Sequence, residues 1–314
     1  MIRLTFRQME YFEALAQLRH FGRAAGFVGV TQPALSSQIA EMEDRLGARL
    51  FERGARSVEL TPEGADLRPK IEAILNQARD LEAAALQDAA PMQGRFRLGI
   101  IPTVAPYLLP DLLPRLKLLY PRLSLELRET ITEVLLEETA LGKLDAAIVA
   151  TPVERQGIDV EPLFEDPFLL AVSDAELGKT APPVAPQSRV LERLMLLEEG
   201  HCMRDQALAI CGEVKPVAIA NFAATSLTTL TQMVAHGLGV TLVPQIARDV
   251  MASIPGVHLV PFAGSPPSRT VALARRRGAA RRAECAALAE TIRDIAGSAG
   301  GEPPGDQRPH RAQS

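Results

Sequence analysis

A chain of 314 residues, 47% hydrophobic and 23% charged, has the profile of a globular protein with two or three domains. Three cysteines are too few, and odd in number, for a secreted disulfide framework. The opening stretch MIRLTFRQMEYFEALAQ lacks a signal-peptide core and no run reaches membrane-span length, so a cytoplasmic protein with reduced thiols and no membrane partner is expected. The net charge of −4 gives no global attraction to nucleic acid, and any DNA contact must rest on a local surface.

The first element, TFRQMEYFEALAQL, places Phe6, Met9, Phe12 and Leu15 at helical period. FGRAAGFVGVTQPALSSQIAEMEDRLGARLF then reads as a second helix, a turn and a third. Ala25, Gly29 and Leu35 supply a small crossing residue, a glycine free to take positive φ and an apolar anchor, the spacing of a helix-turn-helix. Thr31 is the expected cap of the third helix, with Pro33 in its first turn. Leu35, Ile39, Met42 and Leu46 are assigned inward, which leaves Gln32, Ser36, Ser37 and Gln38 outward. FERGARSVEL reads as a wing. From Thr61 as cap, LTPEGADLRPKIEAILNQARDLEAAALQ carries a heptad seam of Leu67, Ile71, Ile74, Ala78, Leu81 and Ala85. Helical from 62 to 88, it forms a rod of about 40 Å. A narrow apolar stripe on such a rod predicts dimerisation through Leu67, Ile71, Ile74, Ala78 and Leu81; the other reading is a helix packed on its own domain.

After the linker QDAAPMQG the pattern alternates strand and helix: RFRLGII, VAPYLLPDLLPRLKLLYP, LSLELRET, TEVLLEETALGKL and DAAIVA. Such βα units predict a largely parallel sheet with helices on both faces. A second series runs through DPFLLAVS, RLMLLEE and VAIANF to the helix SLTTLTQMVAHGLG and the strand VTLVPQ. SRTVALARR and the helix RAECAALAETIRDIAG return to the first lobe, giving two α/β lobes with a cleft between them. The expected units are a winged helix-turn-helix at 1–61, a linker helix and hinge at 62–94, and an effector domain at 95–297. Within that domain, lobe I takes 95–165 and 268–297 and lobe II takes 166–267. The Gly- and Pro-rich tail 298–314 is expected to be disordered.

The segment ALAQLRHFGRAAGFVGVTQPALSSQIAEMEDRLGARLFERGARSVELTPEG resembles the winged helix-turn-helix of LysR-type transcriptional regulators. The resemblance extends over nearly the whole chain, and implies a two-lobed, solute-binding-protein-like effector domain. IPTVAPYLLP, LLEEGHCMRDQALAIC and ATSLTTLTQMVAHGLGVTLVP are similar to stretches of that family's hydrogen peroxide sensors, the OxyR type. This narrower resemblance implies that Cys202 reacts with peroxide and that Cys211 resolves it as a disulfide. It maps a peroxide pocket onto Thr103, Thr132, His201, Asp205 and Arg269. It also implies a homotetramer built as a dimer of dimers, contact with RNA polymerase, control of antioxidant genes and resetting by glutaredoxin or thioredoxin.

The residues support that chemistry. A thiolate is the nucleophile, and His201, Arg204 and Arg269 are cationic neighbours that favour it. Threonine hydroxyls, an imidazole and a guanidinium are suitable donors to peroxide oxygens. A continuous helix would hold the Cys202 and Cys211 Cα atoms about 13 to 14 Å apart. A disulfide needs less than about 7 Å, so closing the bridge requires refolding of the segment. Outside the resemblance, two cysteines nine apart are most simply small core side chains. The Cys202, Cys211 and His201 set falls short of a zinc pattern, so no metal or cofactor is expected. Cys285 shares a helical face with Leu288, Ile292 and Ile295 and reads as core.

Eight arginines against seven acids in residues 1–60 make the first module only weakly basic. Arg23, Arg53 and Arg56 are the candidate phosphate contacts. Gln32, Pro33, Ser36, Ser37 and Gln38 form the candidate recognition surface, glutamine being suited to adenine. Two other functions fit parts of the chain: a LysR-type regulator binding a small organic anion in its cleft, and a thiol peroxidase. An enzyme has no use for a helix-turn-helix, so a non-enzymatic regulator is expected.

Overall fold

The computed structural model describes residues 3–53, 58–85, 92–180, 182–185, 188–200, 202–211, 224–279 and 281–299. Helix α1 (Phe6–Leu18) begins with a capping box, in which the Thr5 hydroxyl accepts from the Gln8 N–H and the Gln8 side chain accepts from the Thr5 N–H. Helix α2 (Phe21–Phe27) is capped by His20, whose Nδ1 accepts from the Gly22 and Arg23 N–H groups. Gly29 takes φ of +71° in the turn before α3 (Gln32–Leu46), the conformation that only glycine adopts without steric cost. Ala25, Leu35, Ile39 and Met42 are buried with Phe12 and Leu15. Two expectations fail here. Thr31 holds the extended N-cap conformation, but its side chain makes no capping bond. Leu46 is 37% exposed, because α3 ends at once in left-handed Gly47 and its last turn leaves the core.

Strands β1 (Phe51–Arg53) and β2 (Val58–Leu60) pair antiparallel as the wing. The Thr61 hydroxyl accepts from the Gly64 N–H and caps α4 (Pro62–Ala85). The seam of α4 divides. Ile71 and Leu75 are buried in the helix-turn-helix core with Leu67 packed against it, which corrects the assignment of Leu67 and Ile71 to a dimer face. Ile74 and Leu81 remain exposed at 40% and 73%, and Ala78 is half-buried. The physical reason lies in α1: Arg68 bonds to Glu13 (2.7 Å) and pairs with Glu72 (3.2 Å), clamping the first half of α4 to its own domain. Burial pushes the Glu13 carboxyl up, against the opposing pull of Arg68. Farther along α4, the Asn76 amide donates to the Leu141 carbonyl at 3.0 Å and Glu72 pairs with Lys143, joining the helix to the effector domain.

The effector domain follows as β3 (Gly94–Ile100), α5 (Ala105–Leu119), β4 (Leu123–Glu129), α6 (Thr132–Ala140) and β5 (Ala146–Ala150). The 16-residue β6 (Ile158–Ser173) then crosses out of the first lobe. After it come α7 (Asp174–Leu177), α8 (Cys202–Cys211), α9 (Leu227–Ala235), β7 (Thr241–Pro244), α10 (Arg248–Ala252) and β8 (Val257–Val260). Strand β9 (Ser268–Arg276) crosses back, and α11 (Arg282–Ala299) closes the chain. The strand order is β4-β3-β5-β9-β6-β7, with β8 also on β6. Among the described strands, only β4, β3 and β5 run parallel to one another; β9, β6, β7 and β8 pair antiparallel, so the sheet is mixed rather than largely parallel. Two crossing strands make this unavoidable, since each leaves one lobe as it enters the other.

Each lobe has its own apolar core, one around Phe96, Leu98, Ile148 and Leu288, the other around Phe168, Leu170, Leu230 and Val243. The stretch RLMLLEE makes single bridges from Leu194 to Val240 and from Leu197 to Ala224. Leu194, Met195 and Leu197 are all buried, a pattern without the alternation of a half-buried strand. VAIANF lies outside the described residues. Helix α11 runs on through Ser298 and Ala299, two residues into the expected tail.

Candidate redox site

Threonines follow the carboxyl ends of the three parallel strands: Thr103 after β3, Thr130 and Thr132 after β4, and Thr151 after β5. This edge of an open α/β sheet is where the fold leaves a crevice. Arg269, brought in by β9, is buried, and its side chain is fully enclosed. Its Nε donates to Asp166 Oδ2 at 3.0 Å, and its Nη2 lies 2.9 Å from the same oxygen. Nη1 donates to Thr103 Oγ1 at 2.8 Å, and Nη2 to the Thr103 carbonyl at 3.1 Å. The Phe168 ring lies 5.7 Å from the guanidinium carbon. Thr132 Oγ1 is buried and has no hydrogen-bond partner among the described residues.

Helix α8 lies over this edge. Met203 and Ala207, one turn apart, enter the lobe II core. Cys202 and Gln206 share the neighbouring flank of the helix, and that flank meets lobe I: Cys202 packs against its core and the Gln206 amide donates to the Thr151 carbonyl at 2.9 Å. Gly200, at φ +91°, brings the approach to α8 against Ile131, where a Cβ would lie 3.1 Å from the isoleucine Cδ1. The helix is continuous from Cys202 to Cys211, so the two Cα atoms lie about 14 Å apart on opposite sides of it. Tyr107 of α5 packs on lobe II and hydrogen-bonds Thr228 at the start of α9; burial raises its hydroxyl pKa.

Thr103 and Arg269 are therefore in direct contact, and Thr132 and Cys202 belong to the same region through Ile131 and the lobe I core. Asp205 lies one turn from Cys202 on α8 and faces solvent. It is exposed, because it lies about 200° around α8 from the buried Met203. Arg204 is engaged with the Leu197 carbonyl at 3.0 Å. His201 and the Cys211 side chain lie outside the described residues. The sequence reading missed Gln206 and Asp166. Gln206 is signalled by its i+4 spacing from Cys202, and Asp166 by being an acid in an apolar crossing strand. Cys285 is core, and burial pushes its thiol up to about 12.

On the DNA-binding module, Gln32, Pro33 and Ser37 are exposed on α3, and Ser36 and Gln38 are half-buried. The Gln38 amide is engaged with Glu41 at 3.0 Å. Arg23 is exposed on α2; the Arg53 side chain and Arg56 fall outside the described residues.

Comparison with known proteins matches residues 6–65 to the bacterial regulatory helix-turn-helix of the lysR family and residues 89–297 to the LysR substrate binding domain. The chain belongs to the LysR family of bacterial transcriptional regulators. That membership makes the first module DNA-binding. Among curated LysR relatives, the DNA-binding transcriptional dual regulator OxyR of Escherichia coli K12 is 40% identical, covering 92% of this chain and 95% of that protein. A probable hydrogen peroxide-inducible genes activator of Streptomyces viridosporus is 43% identical, covering 93% and 95%. Among solved LysR structures, full-length OxyR of Pseudomonas aeruginosa with a cysteine replaced by aspartate superposes with a TM-score of 0.77 at 34% identity, covering 93% and 96%. A cysteine-to-serine mutant of Corynebacterium glutamicum OxyR with hydrogen peroxide bound gives 0.63 at 32% identity, covering 95% and 94%. Among the described residues, no helix of this LysR regulator is long and apolar enough to cross a membrane.

Proposed function

We propose that this LysR regulator senses hydrogen peroxide through Cys202 and converts its oxidation into a change of DNA binding. The observation that carries the reading is the position of Cys202. It heads a helix laid over a crevice edge that holds a buried Thr132 hydroxyl, without a partner among the described residues, and the Thr103–Arg269 pair. The Cys202 thiolate attacks one peroxide oxygen, the O–O bond breaks, and the departing hydroxide takes a proton to become water. The Cys211 thiol then displaces water from the sulfenic acid and closes the disulfide, so two thiols have given two electrons to one peroxide.

Thr103, Thr132, His201 and Arg269 serve as pocket residues in this reading, while Asp205 is left to solvent. The functional units are 1–61 for DNA, 62–94 for coupling and 95–297 for sensing. Ile74, Ala78 and Leu81 carry the α4 pairing within a dimer of dimers. The regulator acts on antioxidant genes in the cytoplasm through RNA polymerase, and a thiol reductant such as glutaredoxin or thioredoxin resets it.

Peptide-resolved mass spectrometry of the full chain after one equivalent of peroxide is the test. The expected product is a Cys202–Cys211 linkage, absent in Cys202→Ser. No linkage in the wild type, with Cys202 still a free thiol, would sink the reading.

A further inference from the structure

Asp166 and Arg269 stand directly opposite one another in the antiparallel register of β6 and β9. Both are buried. The carboxylate is fixed from two sides: Oδ2 meets the guanidinium, and Oδ1 accepts from the Ile246 N–H at 2.9 Å. Its two contacts to Arg269 orient the planar fork, and in that orientation Nη1 donates to Thr103 Oγ1. A guanidinium is a donor only and does not lose its proton. A hydroxyl whose oxygen accepts from such a group must send its own hydrogen elsewhere. Among the described residues, no acceptor receives the Thr103 hydrogen.

We infer that Asp166 is a positioning residue: it sets Arg269 so that Thr103 is polarised as a hydrogen-bond donor into the cleft. This rests on the peroxide reading. When the Cys202 sulfur bonds to one peroxide oxygen, the O–O electron pair passes to the other, which leaves as hydroxide and is protonated to water. Sulfur is oxidised by two electrons and peroxide is reduced. Negative charge gathers on the departing oxygen, and a preset donor acts most strongly there. Because the Arg269 charge is met by Asp166, the pair delivers hydrogen-bond direction rather than net positive charge.

The test compares the full-length wild type with Asp166→Asn and Asp166→Glu. Peptide-resolved mass spectrometry reads two rates at Cys202: sulfenic acid formation by hydrogen peroxide, and alkylation by iodoacetamide across pH, which reports the thiolate. At equal thiolate fraction, Asp166→Asn is expected to lower the peroxide rate at least about tenfold and leave alkylation within about twofold. Asp166→Glu, which restores the charge, is expected within about threefold of wild type.

A wild-type peroxide rate in Asp166→Asn overturns the inference. So does a parallel fall of both rates, which is what a purely structural role produces. If Asp166→Asn does not fold, the charge-free pair Asp166→Asn with Arg269→Met is compared with Arg269→Met alone. Equal rates support the inference, and a further loss overturns it. A wild type that alkylates at Cys202 but does not react with peroxide fails the functional reading itself, which distinguishes it from a failure confined to the variants.

Discussion

Replacing Ala209 by glycine is expected to speed disulfide closure without changing the first oxidation. Helix α8 is continuous from Cys202 to Cys211, nine residue steps that hold the Cα atoms about 14 Å apart. A disulfide tolerates less than about 7 Å, so the closing rate scales with the fraction of α8 that has unwound. Ala209 is exposed inside the helix, and its truncation removes little packing. Glycine costs a helix interior about 1 kcal/mol relative to alanine, a factor of about 5 in an unwinding equilibrium. Closure should therefore accelerate between about two- and fivefold, the upper value applying if unwinding at 209 is complete in the transition state. Rapid-quench alkylation with mass spectrometry separates the steps, following sulfenic acid at Cys202 and loss of the free Cys211 thiol. An unchanged or slower closing rate in a variant with reduced α8 protection from hydrogen exchange would refute the requirement for unwinding. So would disulfide formation in the wild type with full protection of residues 203–210.

The remaining predictions concern the core, the linker helix and the DNA-binding face. Burial holds the Cys285 thiol near 12 against 9.0 for a free thiol, so the folded chain keeps a proton that the unfolded chain releases. The associated stability is complete below about pH 8 and declines as pH rises toward 12; between pH 8 and 10, urea unfolding should show wild type losing about 1 kcal/mol more than Cys285→Ala. Ile74→Asp with Leu81→Asp should weaken self-association at least about 30-fold in sedimentation equilibrium, from roughly 2 kcal/mol or more of lost apolar burial. Ile71→Asp, by contrast, should lower the melting temperature, because Ile71 is buried in its own domain. Arg23→Ala should reduce the slope of log K for operator binding against log salt by about 0.9 if its guanidinium meets one phosphate. An unchanged slope would remove Arg23 from the interface.

Periodicity exposed the elements whose burial is one-sided and local. Leu35, Ile39 and Met42 on α3, and Thr61 capping α4, stand where spacing and capping chemistry put them. Periodicity could not divide α4, since Leu67 and Ile71 face an intrachain partner and Ile74 and Leu81 face outward on the same heptad seam. The Arg68 bridge to Glu13, 55 residues away in the chain, makes that division, and a local pattern carries no record of it. The site shows the same boundary. Thr103 and Arg269 entered through resemblance, and their contact spans 166 residues. Asp166 completes the group only through strand register, which no single segment displays. Asp205 entered through the same resemblance; on α8 it lies one turn from Cys202, on the solvent side of the stripe that Met203 and Ala207 bury.

A two-lobed cleft can serve an organic anion as readily as peroxide, so the charge balance at its floor separates the two. Arg269 is the one buried cationic residue among those described, and Asp166 already meets its charge. A carboxylate ligand entering beside this buried pair would find the Arg269 charge already met, and burying its own charge there is costly without a further cation. Hydrogen peroxide is neutral and needs only hydroxyl-scale partners. The Thr103 hydroxyl, with its oxygen committed to Arg269, and the Thr132 hydroxyl, unpartnered among the described residues, are partners of that kind. Charge arises at such a site only during reaction, on the departing oxygen, and it is then that a preset donor acts. A neutral resting pair is thus matched to a neutral oxidant, and the length of α8 between the two cysteines turns that oxidant's arrival into a change of fold.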